Sequence, residues 1–367
     1  MVNGSNLDLP GADIDVNGLR IAESGLNEFC SQIFGHLLRV DQRRCACAYL
    51  SAILTTPGKK SIRRLARAVS ASSAAAQSLR QFVNGSPWNW QPARHELASW
   101  AQGHGPVAAW SIGRAFLPKR GERSVGVHRH YDPFSNRTVN SQLGYGAFLA
   151  VGAAHIPVEW ELSLPGPWSA DAQLRRRARI PDDERGRPTG AHVLGLVDSL
   201  AARMKPAPVV ADLSDEPDVG PLIEGLGQRG HDFVIAVPPH LQVRCRDRLA
   251  SRRTGSAAED PYRLFARAGS DGDPDQAWIT NLPRCRLREA VRLAAVSRGT
   301  ITAVSAMARW FGLLDFEGRS FPGWHHHMTL VSAAYAFGRL GPLGDACRNL
   351  GSEIASDSAS RALCPGL

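Results

Sequence analysis

Apolar positions in the first quarter of the chain recur at helical spacing. In "LNEFCSQIFGHLLRV", Leu26, Phe29, Ile33, Leu37 and Val40 fall along one face. "RRCACAYLSAILTT" and "SIRRLARAVSASSAAAQSLRQFV" continue this texture, with small residues that permit close helix packing. Gly58 breaks one helix, and "NGSPWNWQP" (84–92) punctuates another. The pattern predicts a loose arm over 1–24 and a helical, basic domain over 25–103, with a cationic helix starting near Lys59.

After Gln102 the period changes. "SVGVHRHYD" (124–132), "RTVNSQLGYGAFLAVG" (137–152) and "HIPVEWELSL" (155–164) suit successive antiparallel strands. Helical texture follows in "SADAQLRRRARI" and "GAHVLGLVDSLAARM", then a buried strand "PAPVVADL" (206–213), a helix "GPLIEGLGQRG" and a strand "HDFVIAVPP" (231–239). This order predicts a mixed α/β core over 104–344. The polar, basic stretch 240–298 reads as an insertion, 299–341 as helical again, and 345–367 as a polar tail.

Charge sharpens the picture. The 367 residues carry 43 Lys and Arg against 34 Asp and Glu, a net charge of +9. The excess clusters in "KKSIRRLAR" (59–67), "RRRAR" (175–179), "RCRDRLASRR" (244–253) and "RCRLREAVR" (284–292), which points to a polyanion partner. No apolar run reaches the roughly 18 residues of a membrane span, and the polar start is unlike a signal peptide, so a membrane partner is not expected. The seven cysteines are scattered without a CxxC pair, as in a reducing cytoplasm.

Candidate chemistry is sparse. Asp212 ends an apolar strand and enters "LSDEPDVG", where Asp215, Glu216 and Asp218 follow; such a cluster either binds a cation over the sheet or caps the next helix. The triple "HHH" at 325–327 is not a metal site on a helix, because neighbours diverge by about 100°. A packed or solvated cluster is expected, with Trp324, Met328, Val331 and Tyr335 facing inward. His128 and His130 share a strand face and lack a third ligand nearby. No GxGxxG opening a helix, GxxxxGK[ST], GxSxG or HExxH is present.

Five segments, in order, resemble the DDE-superfamily transposases of bacterial insertion sequences: "RRCACAYLSAILTTPGKKSIRRLA", "QSLRQFVNGSPWNW", "RSVGVHRHYDPFSNRTVNSQLGYGAFLAV", "LSLPGPWSAD" and "GRSFPGWHHHMTL". The resemblance runs from about Leu26 to Leu340. It implies an RNase H-like α/β core with an insertion, preceded by a helical N-terminal domain. It also implies DNA cleavage by two divalent magnesium-type ions on Asp, Asp and Glu.

Counting back from Phe116 in the family's "vIDETGF" stretch places Ile112 at the first aspartate, Gly113 at the glutamate and Arg114 at the threonine. Asp212 corresponds to the second aspartate. Ile301, Thr302 and Trp310 stand where glutamates of the third segment belong. One acid of three cannot hold two ions, so the resemblance implies a degenerate site without its metal. The leading expectation is a DNA-binding protein, with regulation as one role open to it, using Lys59, Lys60, Arg63, Arg64, Arg175, Arg176 and Arg177 on duplex DNA. An alternative is an enzyme acting on a small molecule in the old cleft, which Trp310 and Phe311 would close, with Asp212, Arg114, His128 and His130 as polar groups. A third is a nuclease with a rearranged metal site that adds Asp132, Asp215 or Asp315 to Asp212.

Overall fold

The computed structural model describes residues 16–70, 72–132, 136–238, 262–267 and 276–342. The basic run 244–253, the tail from 345 and the first fifteen residues of the arm expected over 1–24 lie outside the described residues; residues 16–24 of that arm are helical, continuous with the helix through Leu26 and Ile33.

Five helices come first: α1 (Val16–Phe34), α2 (Val40–Thr55), α3 (Ile62–Val69), α4 (Ser73–Asn84) and α5 (Gln91–Gln102). The cationic helix begins later than the sequence suggests. Gly58 adopts a positive φ of 64°, and Ser61 takes the extended N-cap conformation, so Lys59 and Lys60 precede α3. Tertiary structure holds this offset, because the Lys60 backbone N–H donates to Asp315 at 2.7 Å.

Strand β1 (Val107–Pro118) pairs antiparallel with β3 (Arg137–Val151), whose other edge takes β2 (His128–Asp132) and β4 (Ala154–Leu162). After the short α6 (Pro167–Ala170) and α7 (Ala172–Ala178), helix α8 (Thr189–Ala201) leads to β5 (Val209–Asp212). Strand β5 lies parallel to β1, and after α9 (Gly220–Gln228), β6 (Phe233–Val237) lies parallel to β5. An antiparallel meander followed by two parallel crossover strands is the order of an RNase H-like core.

The expected insertion is in part structural. Strands β7 (Arg263–Arg267) and β8 (Gln276–Thr280) extend the sheet beyond β6, giving the order β2-β3-β1-β5-β6-β8-β7 with β4 beside β3. Residues 287–298 belong instead to the 24-residue helix α10 (Leu287–Trp310), which lies across β1, β4, β5 and β6. Their high Arg content gave them the texture of a polar insert, while Ala290, Leu293, Ala294 and Ser297 are buried on the sheet.

Helix α11 (Phe321–Leu340) is apolar on more than the one face its sequence suggests. Every residue from Phe321 to Gly338 except Pro322 is buried, because α2, α4 and α5 cover it on one side and β4 on the other. Its histidines are spent on packing and on polar partners inside the protein. His325 Nδ1 lies 3.1 Å from Arg94 Nη2, and the ring stacks on Trp90. His326 nitrogens lie 2.8 Å from the Val83 and Trp88 carbonyls. One apolar cluster thereby runs from Phe29 in α1 through Trp160 in β4 to Phe337 in α11.

Within that cluster sits a buried charge network. Arg94 on α5 is 1% exposed and donates to Glu159 on β4, to the Trp160 carbonyl at 2.9 Å and to Thr329 at 2.9 Å. Glu159 takes a second guanidinium from Arg203 at 2.7 Å. Burial alone would raise the Glu159 carboxyl, but Arg94 and Arg203 hold it below its ordinary range. A depressed carboxylate contributes stability above about pH 5 that is lost as pH falls through its folded value. Glu159→Gln should therefore cost about 3–5 kcal/mol in urea melts at neutral pH, since both guanidinium groups lose their counter-charge. The difference from the parent should shrink on acidification. An unchanged difference at low pH would assign the loss to packing instead.

Candidate functional site around Asp212

Asp212 closes β5 at its carboxyl end, where side chains of an open α/β sheet project into the crevice beyond the strands. Both of its oxygens are occupied. Oδ1 accepts from the Ser214 N–H at 3.2 Å and the Ser214 hydroxyl at 2.8 Å, while Oδ2 accepts from Gln276 Nε2 at 2.8 Å. Gln276 was not visible as a partner in the sequence, because β8 reaches Asp212 only through the β6–β8 pairing. Ser214 was legible in principle: an Asp followed two residues later by Ser is a common turn pairing.

Sheet register decides what faces this carboxylate. Ile112 pairs with Ala211, which puts Gly113 opposite Asp212. Successive strand residues point to opposite faces, so Ile112 shares the Ala211 face and turns away from Asp212. The count back from Phe116 therefore lands one residue from the position that faces Asp212.

The space beside Gly113 is filled from α10. A Cβ placed there would lie 2.6 Å from Thr300 Cγ2 and 3.3 Å from Phe148. Thr300 Oγ1 is also 2.6 Å from Ser111 Oγ and 3.2 Å from His155 Nδ1. Thr302, two residues on, turns to the opposite side of α10 and donates to the Arg298 carbonyl. Ile301 is 57% exposed. Trp310 and Phe311 also border a cavity on the far side of α10, so they do not close the Asp212 crevice.

Arg114 does not pair with Asp212. It projects from the Ile112 face and binds Asp215 and, at 2.9 Å, Glu216. Glu216 Oε1 also accepts from Thr189 at 3.0 Å, and Thr189 hydrogen-bonds Tyr145 at 2.9 Å. Tyr145 in turn stacks on His192, whose Nδ1 lies 2.7 Å from Glu161. The acidic loop thus anchors β1 and the start of α8. His128 and His130 lie 3.6 Å apart by ring centroids on β2, beside Phe116. Burial and its neighbour hold His130 down at about 4, so it is neutral near pH 7. Of the further metal candidates, Asp215 is committed to Arg114 and Asp315 to the Lys60 backbone, and the Asp132 side chain lies outside the described residues. Among the described residues no group of three His, Cys, Asp or Glu side chains has metal-binding geometry.

The expected DNA contacts divide by burial. Lys60 is 5% exposed and donates Nζ to the Thr56 carbonyl; Arg175 is 7% exposed and donates to the Trp168, Ser169 and Pro181 carbonyls. Both are occupied inside the fold and do not present their charge to a partner. Lys59, Arg63, Arg64, Arg176 and Arg177 are exposed. Arg177 shares a depression with Arg123, from the basic turn 118–123, and with Arg319, which stands outside any basic run; Glu122 lines it as well. The loop carrying Arg319 is fixed there by Val125 N–H and Ser124 Oγ, which donate to the Arg319 and Gly318 carbonyls.

A model of the DDE superfamily endonucleases matches residues 32–300. The chain belongs to that family. The match ends inside α10, so α11 lies beyond it. Among solved structures, the synaptic complex of piggyBac transposase with hairpin DNA is similar over 95% of this chain and 80% of that one, at 12% identity and a TM-score of 0.47. No curated protein matches. Among the described residues of this DDE-family chain, no helix is long and apolar enough to cross a membrane.

The close contact between Gly113 and Thr300 yields a sharp expectation. Gly113→Ala should cost about 1–3 kcal/mol by overpacking. Thr300→Ser removes the obstructing methyl and keeps the hydroxyl that meets Ser111, so the pair should be coupled in a double-mutant cycle measured by thermal or urea melts. Simple additivity would mean that Gly113 does not pack against Thr300.

Proposed function

We propose that this DDE-family chain binds duplex DNA without cleaving it. The observation that carries the reading is the state of Asp212: its two oxygens are taken by Ser214 and Gln276, and the strand residue facing it is a glycine. In-line phosphodiester cleavage by two ions needs several anionic oxygens converging on one spot. Here one carboxylate meets neutral donors, and an amide N–H₂ points at the oxygen that a cation would take. The donor set does not fit a two-ion site, and no cleavage step is derived through one.

DNA binding rests on the remaining charge. The exposed Lys59 ammonium before α3 and the exposed guanidinium groups on α3 and α7, together with Arg123 and Arg319, suit phosphate contacts, which set affinity and salt dependence more than sequence preference. The buried cations Lys60 and Arg175 are assigned to folding.

Two measurements on the purified chain test the proposal. Supercoiled plasmid incubated with magnesium or manganese should remain intact, for the parent and for Asp212→Ala alike; nicking that disappears in Asp212→Ala would overturn the reading. In fluorescence anisotropy with a labelled duplex, affinity should fall steeply with salt. Lys59→Ala, Arg63→Ala and Arg177→Ala should each reduce the log–log salt slope by about 1. Lys60→Met and Arg175→Met should instead lower thermal stability. Parent-like DNA binding by the triple variant at low salt would remove these residues from the interface.

A further inference from the structure

A cavity of about 530 Å³ opens between the end of α2, the turn before α3, and helices α10 and α11. It is separate from the Asp212 crevice. Thr302, Ala303, Ala306 and Trp310 of α10 wall it, whereas Thr300 of the same helix turns toward Gly113. Residues 300 and 302 lie about 200° apart around a helix, so α10 presents one side to each place.

The chemistry of the cavity is one-sided. Its walls are largely apolar, with Ile53, Leu54, Ala303, Ala306 and Phe311. Lys60 and Arg339 line it, the Lys60 ammonium being bonded to the Thr56 carbonyl, and among the described residues no Asp or Glu does. Three lining polar atoms are buried without a hydrogen-bond partner: Thr56 Oγ1, Trp310 Nε1 and Arg339 Nε. Two of these can only donate, and the hydroxyl can donate as well. Unsatisfied buried donors cost about 1–3 kcal/mol each, so this wall favours an acceptor over a further donor. Its volume lies within the range of small-molecule sites, which combine apolar walls with a few placed polar groups.

We propose that this cavity binds a small organic anion: an apolar, ring-sized body carrying one carboxylate, with the carboxylate directed at Arg339 and the Trp310 N–H. The apolar body covers the alanine-lined side of α10, where small side chains leave the room. The anion brings an acceptor to this wall, and the Arg339 guanidinium complements its charge with no competing carboxylate among the described lining residues. The site does not depend on the DNA-binding reading.

Naphthalene-2-carboxylate and its isosteric neutral partner, naphthalene-2-carboxamide, separate charge from shape. Isothermal titration of the full chain at neutral pH should show saturable binding of one carboxylate per chain. It should bind about tenfold or more tighter than the amide, the worth of one charge-assisted hydrogen bond. Arg339→Gln should remove this preference by weakening the carboxylate and leaving the amide unchanged. Ala306→Trp should abolish binding of both while the chain still melts cooperatively. If that variant does not fold, Thr302→Trp at the exposed rim takes its place. Absence of saturable binding by either probe, equal affinity for acid and amide, or parent-like binding in a folded cavity-filling variant would each overturn the proposal.

Discussion

A guanidinium that is 1% exposed must be matched by a carboxylate, and the pairing of Arg94 with Glu159 is the constraint on which the rest of this molecule hangs. Arg94 comes from the helical segment, Glu159 from the outer strand of the meander, Arg203 from the end of the crossover helix, and Thr329 from the last helix. The network ties those four elements to one another. Around it, α11 is enclosed on every side, and its three consecutive histidines become packing groups. The helical segment and the α/β core consequently share one interior, with Phe29 and Phe337 in contact at 5.2 Å between ring centroids.

Helix α10 divides the functional questions between its two sides. Toward the sheet, Thr300 engages Ser111 and fills the space next to Gly113, and the neighbouring carboxylate of Asp212 is held by neutral donors. Away from the sheet, the small side chains Ala303 and Ala306 leave a cavity bounded by the end of α2 and by α11. A bulky residue on the first side would be expelled by strand packing, and on the second side it would fill the void. The same local helical geometry thus closes one place and leaves the other open.

Charge divides in a similar way. Lys60 and Arg175 stand inside basic runs yet spend their donors on backbone carbonyls. Burial pushes the Lys119 ammonium down to about 8, and it donates to the Phe316 carbonyl at 2.8 Å. A count of positive residues therefore overstates what a polyanion can reach. The exposed set is smaller, and it includes Arg319, which no basic run announces.

The sequence by itself determined the order of helices and strands up to β6, since periods of 3.6 and 2 are local properties that each segment carries with it; β7, β8 and the first half of α10 were hidden in a stretch whose charge masked its period. It also set the position of Asp212 at a strand end, and it excluded a metal role for the adjacent histidines, because helix geometry forbids neighbours from converging. Only the tertiary structure decided which face each strand residue takes. A one-residue difference in register reverses every side chain, so Ile112 and Gly113 exchange roles with no change in pattern. It likewise decided the partners of Asp212 and Arg114, which arrive from Gln276, Asp215 and Glu216 across 64 to 102 residues of chain. Burial of Lys60 and Arg175 belongs to the same class. Desolvation depends on what other segments cover, and no periodicity within a segment records its neighbours in space.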